Sequence, residues 1–102
     1  MRRGLLVGLS RFELHLPHAR SLKEKRKVVK SVVDRLHERY RVSVMESGFH
    51  DLHQRAEVTL ALVTSGAAEM EKRMDDMRGV VESEVELFLT RWDQQLLEEE
   101  ER

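Results

Sequence analysis

A chain of 102 residues has room for one domain, which can bury enough apolar surface to fold without disulfides or metals. It contains no cysteine, which excludes disulfides and thiolate metal sites and favours a cytoplasmic protein. The apolar N-terminal run is interrupted by Arg11 and Glu13 and is too short to cross a membrane. We therefore interpret it as a strand and expect no association with a membrane.

The formal net charge of −1 hides a strong asymmetry between the two halves of the chain. Residues 1–55 hold 13 Lys and Arg against 6 Asp and Glu, whereas residues 56–102 hold 5 against 13. A basic half favours a polyanionic partner, and an acidic half favours attraction between copies.

The first predicted strand runs from Leu5 to Leu16 and ends at Pro17. Its apolar residues change phase along the strand: Leu5, Val7 and Leu9 alternate in one phase, and Phe12, Leu14 and Leu16 in the other. Either a bulge near Ser10 and Arg11 flips the register, or both faces of the strand are partly buried.

The stretch Ser21–Tyr40 predicts an amphipathic helix, with Ser21 as N-cap and Glu24 completing a capping box. Its apolar stripe recurs at three- and four-residue steps: Leu22, Val28, Val29, Val32, Val33, Leu36 and Tyr40. Its first turns carry the cations Lys23, Lys25, Arg26, Lys27 and Lys30. Because cations oppose the dipole at this end of a helix, the pattern is typical either of an anion site or of a solvated charged face.

Further along, the pattern predicts a short strand (Arg41–Glu46), a loop (Ser47–Arg55) and a clear strand (Ala56–Thr64) with Val58, Leu60 and Leu62 on one face. A second helix from Ala67 to about Glu82 carries a methionine stripe that we expect to fill the core: Met70, Met74 and Met77. A last strand (Glu84–Trp92) is predicted to direct Val85, Leu87 and Leu89 inward. The domain is predicted to cover residues 1–93, and residues 94–102 to form an acidic tail.

This β-α-β-β-α-β order predicts an α+β ferredoxin-like sandwich, in which two helices cover one face of a four-stranded antiparallel sheet. A swapped or extended variant of the same sheet is the alternative. The open sheet face is predicted to carry Val63, Phe88 and Trp92, a set that favours a homodimer interface. In the alternative, the acidic tail folds back through Leu96 and Leu97 and covers these side chains.

The basic helix is the candidate nucleic-acid-binding element. Its predicted nucleic-acid-binding residues are Lys23, Lys25, Arg26, Lys27 and Lys30, and all of these except Lys25 are expected to face phosphates from the outer side of the helix. By helical phase Lys25 points toward the apolar arc. Its ammonium is expected either to reach past the sheet end or to bind an anion specifically. Recognition of RNA on the open sheet is less favoured, because the third strand offers only Thr59, Ala61 and Val63 there.

Neither a metal, a cofactor nor an enzymatic activity is predicted. His50 and His53 lack the spacing of a helical metal pair, and loop hydrogen bonding is the favoured role for them. Glu46, Asp51 and Arg55 are predicted to form an ionic cluster of structural type. The sequence contains no phosphate-binding glycine loop and no nucleophile motif.

Several segments resemble the bacterial YlxP-like family of small domains of unknown function. They are Ser21-Leu22-Lys23-Glu24-Lys25-Arg26, Arg41-Val42-Ser43-Val44 with Glu46, and Asp51-Leu52 with Gln54-Arg55-Ala56. The resemblance covers roughly Leu5 to Glu86 and implies a ferredoxin-like fold. Family members are often encoded beside transcription-elongation and ribosome-maturation factors, which implies an RNA- or ribosome-related partner. The second hypothesis is a protein-interaction module that acts through the open sheet face.

Overall fold

A computed structural model describes residues 4–98 and confirms the predicted fold class. The elements are β1 (Leu6–His15), α1 (Leu22–Tyr40), β2 (Ser43–Gly48), β3 (Arg55–Thr64), α2 (Ala67–Glu82) and β4 (Phe88–Glu98). The strands form one antiparallel sheet in the order β2-β3-β1-β4, which makes β2 and β4 its edges. The two helices pack on one face, and the other face is open.

The start of α1 follows the sequence closely. The Ser21 hydroxyl accepts a hydrogen bond from the Glu24 backbone N–H at 3.1 Å, and the Glu24 carboxylate accepts one from the Arg20 N–H at 2.5 Å. This arrangement differs from the predicted capping box only in the amide that the glutamate reaches, and it satisfies the Glu24 N–H, one of the donors that the start of a helix leaves unpaired. The buried residues of α1 are Lys25, Val29, Val32 and Leu36.

The apolar residues of β1 change phase because both faces of the strand are partly buried, which is the second of the two predicted causes. The pairing of β1 with β3 runs without a shift from Leu6↔Thr64 to His15↔Arg55, so no bulge lies near Ser10. One phase of β1 faces the helices and contributes Leu6, Phe12 and Leu14 to the core. The other phase, beginning with the exposed Val7, lies on the open face.

The methionine stripe of α2 fills the core as predicted. Met70, Met74 and Met77 are buried against the sheet. At Gly8 an added Cβ would lie 2.4 Å from the Met70 sulfur, so any larger residue there would force the ends of the methionine side chains to shift. The unbranched methionines therefore pack directly over the backbone of β1.

The last strand begins and ends later than predicted. Residues 83–87 form a turn, and Val85 is 91% exposed, so the prediction that it points into the core is wrong. Leu87 is buried and Leu89 is partly buried, as predicted. β4 continues past residue 93 to Glu98, which pairs with Leu6. Residues 99–102 of the predicted tail lie outside the described residues.

A bulge in β4 overturns the predicted placement of Trp92. Leu89 pairs with Leu14 and Arg91 with Glu13, which leaves Thr90 as an extra residue. Because one extra residue exchanges the faces of a strand, Phe88 and Trp92 lie on opposite sides of the sheet. The Trp92 ring stacks on the buried Phe12 ring with a centroid distance of 4.9 Å, so Trp92 belongs to the helix-covered side.

Candidate interaction surfaces

Four exposed cations in the first turns of α1 form one surface, which we call the basic stripe: Lys23, Arg26, Lys27 and Lys30. Apart from the adjacent pair Arg26 and Lys27, these residues are separated by three, four or seven positions, so they share one side of the helix, away from its buried residues. From the first to the last, the stripe extends over about 10 Å of helix. The structure therefore brings together all the predicted nucleic-acid-binding residues except Lys25.

The ion pairing of the basic stripe is incomplete. Lys30 donates to Asp34 at 2.5 Å, and this hydrogen bond raises the pKa of Lys30 above its ordinary value. Among residues 4–98, Lys23, Arg26 and Lys27 have no carboxylate within salt-bridge distance. Like charges at such spacings destabilise a helix by about 0.2–0.5 kcal/mol per pair, so the stripe costs stability in the free protein.

Lys25 does not belong to the nucleic-acid surface, because its side chain is 0% exposed. Its ammonium donates to the backbone carbonyls of Phe49 at 2.8 Å, Arg55 at 3.2 Å and His50 at 3.5 Å. It also lies 3.0 Å from Glu46 Oε2. Both predicted roles for Lys25 are therefore wrong: it neither reaches solvent nor faces an external anion, but joins α1 to the β2–β3 loop.

The β2–β3 loop, residues 49–54, is held at both ends. Phe49 has a φ of 59°, a left-handed conformation that is rare for a bulky residue, and its carbonyl points at Lys25 Nζ. Gln54 donates from Nε2 to the carbonyls of Pro17 at 3.2 Å and Ala19 at 3.4 Å. The loop is therefore fixed against the turn that enters α1.

The predicted cluster of Glu46, Asp51 and Arg55 does not form. Glu46 pairs with Lys25, whereas Arg55 reaches across the sheet to Glu13 with an Nη2–Oε1 distance of 2.7 Å. Asp51 is exposed. The physical reason is strand geometry: Glu46 lies beside Val58 on the helix-covered face, and Arg55 lies on the open face.

The predicted histidine pair also takes separate places in the loop. His50 Nε2 lies 3.4 Å from the Glu46 carbonyl, and His53 is exposed in a cleft at the end of the sheet. That these two histidines bind no metal therefore stays a prediction.

The open sheet face has an apolar region at the end that includes the start of β1. We call it the apolar patch: Val7, Leu9, Ala61, Val63 and Leu97. Val7 is the direct cross-strand neighbour of both Val63 and Leu97, which are 58% and 69% exposed. Of the predicted interface residues, Val63 lies in this patch, Phe88 lies on the same face at the opposite end, and Trp92 lies on the other face. Leu97 belongs to β4 and does not fold back over the sheet.

Charged side chains occupy the middle of the open face. Arg11 approaches Glu57 with an Nε–Oε1 distance of 3.9 Å, and Arg91 pairs with Asp93 at 2.6 Å. The Asp93 hydrogen bond raises the pKa of Arg91 above its ordinary value. Each guanidinium in this layer thus has a carboxylate neighbour, so the layer adds little net charge to the face.

A separate cleft lies between the first turns of α1 and the α2–β4 turn. Lys27 and His18 line it together with the carboxylates of Glu24, Glu84 and Glu86. These acids make the cleft unfavourable for a phosphate, so the side of the basic stripe that is open to an anion is its outer side. No helix among residues 4–98 is long and apolar enough to cross a membrane.

Comparison with known proteins agrees with the resemblance found in the sequence. A family model described as "Protein of unknown function (DUF503)" matches residues 7–94. The uncharacterized protein YlxP of Bacillus subtilis (strain 168) is 33% identical over 88 residues, which cover 84% of this chain and 96% of that protein.

Proposed function

Because this chain belongs to the DUF503 family of proteins of unknown function, its function must be inferred from its surfaces, and we propose that it is a non-enzymatic RNA- or ribosome-associated binding module. The observation that carries the proposal is the crowding of Lys23, Arg26 and Lys27 in the first turns of α1. They are exposed and, among residues 4–98, have no carboxylate partner. A phosphate backbone would relieve the repulsion among them.

The position of these charges strengthens the argument. A helix N-terminus already carries a partial positive charge, and three further cations there raise the local potential. A polyanion gains affinity from several cations along one face by releasing its counterions, and needs no enclosed pocket. An exposed helix face without a cavity is therefore suited to a nucleic-acid backbone.

The test is RNA binding measured at several salt concentrations. The variant Lys23→Ala, Arg26→Ala, Lys27→Ala is compared with the control Arg39→Ala, Lys72→Ala, Arg78→Ala, which changes the net charge equally. If each stripe residue contacts one phosphate, the slope of log K against log salt falls by about 0.7 per lost contact with single-stranded RNA. Equal effects of the two variants, or no RNA binding at low salt, would contradict the proposal.

A second candidate function, favoured by the apolar patch, is self-association through the open sheet face. Val7, Val63 and Leu97 are neighbours on three adjacent strands, so their exposed surfaces are continuous. A continuous exposed apolar surface of this kind usually marks an interface. The paired charges of the middle layer could be covered by a second copy without new partners, because they already neutralise each other within one chain.

A further inference from the structure

We propose that planar side chains at one end of the open sheet face form a stacking platform for the bases of single-stranded RNA. The inference rests on the proposed RNA-binding function and assigns a second, base-contacting part to it. The side chains, which we call the planar row, are Phe49, Arg55, His15 and Phe88. Arg55 and Phe88 are the direct cross-strand neighbours of His15, on β3 and β4 respectively. The Arg55 guanidinium lies 3.9 Å from the centre of the Phe49 ring.

The planar row offers flat surfaces of the kind that bases use. Bases stack on aromatic rings and on guanidinium planes, and RNA is recognised mainly through such unstacked bases. Phe88 is 61% exposed, and the Arg55 side chain is 51% exposed. His15 and Phe49 are half-buried. The row therefore joins accessible planes into one strip across three strands.

Three members of the row, Arg55, His15 and Phe49, are held in position before any ligand arrives. Arg55 is oriented by its contact with Glu13, and His15 Nδ1 lies 3.2 Å from the Gln54 carbonyl. Phe49 keeps its rare backbone conformation because the buried Lys25 binds its carbonyl. A strained residue held by a buried charge is a feature of functional sites, and a platform fixed in advance loses less entropy on binding.

The platform and the basic stripe lie at the same end of the molecule. β1 ends at His15, and the turn of residues 16–21 leads directly into the first turns of α1. The β2–β3 loop packs on that turn through Gln54, and a cleft of about 390 Å³ beside the row is lined by His15, Leu52 and His53 among others. An RNA strand that passes around this end of the molecule, from the outer side of α1 to the open face, would place phosphates on the stripe and bases on the row.

The position of the row favours RNA over a protein partner. The apolar patch, which suits a protein surface, lies at the opposite end of the same face, beyond the charged middle layer. The cleft beside the row combines the exposed aliphatic Leu52 with the planar side chains of His15, His53 and Arg55, and its lining also includes Asp51 and Gln54. Flat rings and a guanidinium group at the same end of the molecule as the basic stripe match the chemistry of a nucleotide chain.

The experiment compares a short single-stranded RNA of mixed sequence with an abasic strand that keeps the same phosphates, at roughly 50 to 200 mM salt. Two variants of the full chain are measured: Phe88→Ala, and Arg55→Lys, which keeps the charge but loses the plane. Their matched controls are Val85→Ala, also an exposed apolar residue, and Arg39→Lys, whose guanidinium lies over Tyr40. Each platform variant should lower the affinity for the base-containing strand ~5- to ~150-fold. The affinity for the abasic strand and the slope of log K against log salt should not change.

Other outcomes separate this inference from the proposed function. RNA binding that both platform variants retain, or equal losses on the two strands, overturns the platform and leaves the basic stripe standing. No binding of either strand by the wild type overturns both. If a variant unfolds, the changes in amide chemical shift that RNA causes in the wild type decide. Changes at His15, Arg55 and Phe88 that depend on the presence of bases support the platform, and changes confined to α1 overturn it. Dissociation of a dimer by Phe88→Ala, with RNA binding unchanged, makes the row a protein contact instead.

Discussion

Replacing Lys25 by methionine removes the buried ammonium and keeps most of the unbranched stem in place. Glu46, whose side chain is 18% exposed, then loses the cation at 3.0 Å. Its Oε2 atom receives no hydrogen bond from the other described residues. Removing one partner of a buried ion pair costs about 3–5 kcal/mol, and we expect the lower end here because Glu46 reaches some solvent. A domain with a stability of about 5–15 kcal/mol should remain folded at that cost.

The assay is urea denaturation followed by circular dichroism, with hydrogen exchange of the loop amides measured in parallel. A loss of about 3 kcal/mol lowers the urea midpoint by about 1–3 M for a domain of this size. The double variant Lys25→Met, Glu46→Leu removes the isolated carboxylate and should recover more than half of the loss, because an apolar pair can replace a buried ion pair. It should leave residues 49–54 weakly protected, since the Phe49 and Arg55 carbonyls still lack their donor.

A Lys25→Met midpoint close to that of the wild type, with unchanged loop protection, would refute this reasoning. Lys25 would then be an incidental buried residue. A double variant that is as unstable as the single variant would show that the carbonyl contacts, and not the pairing with Glu46, account for the stability.

The remaining predictions concern self-association and metal. If the apolar patch is a dimer interface, Val63→Ser with Leu97→Ser should shift sedimentation from dimer to monomer, whereas the exposed control Val85→Ser should not; a wild type that is monomeric at micromolar concentration rules the interface out. Trp92→Ser should instead destabilise the fold by about 1–3 kcal/mol, because it removes a partly buried ring stacked on a core phenylalanine, and dimer loss without destabilisation would contradict its placement. Purified, untagged protein should contain no stoichiometric zinc, and about one zinc per chain that is lost in His50→Ala with His53→Ala would prove this wrong.

Local patterns predicted the helices well because the residues that form them are close in the chain. The Ser21 cap, the buried positions of α1 and the methionine stripe of α2 all depend on spacings of three or four residues. The same is true of β3, where strict alternation of Val58, Leu60 and Leu62 identified the buried face. From these elements the order of strands and helices followed, and with it the fold class.

The features that sequence patterns missed depend on residues far apart in the chain. Alternation within β4 could not reveal the bulge that turns Trp92 inward, because a bulge is defined by the partner strand, here at Glu13 and Leu14. Helical phase placed Lys25 near the apolar arc but could not supply the Phe49, His50 and Arg55 carbonyls that make its burial tolerable.

The sequence by itself therefore determined the elements, their order, the buried faces of α1, α2 and β3, and the cations of the basic stripe. Only the tertiary structure decided that Lys25 is buried and does not belong to that stripe, and which residues share the open face. His15, Arg55 and Phe88 carry no common motif, and they become neighbours through the register of three strands. Register is set by the packing of the whole sheet against its helices, which no short window of sequence contains.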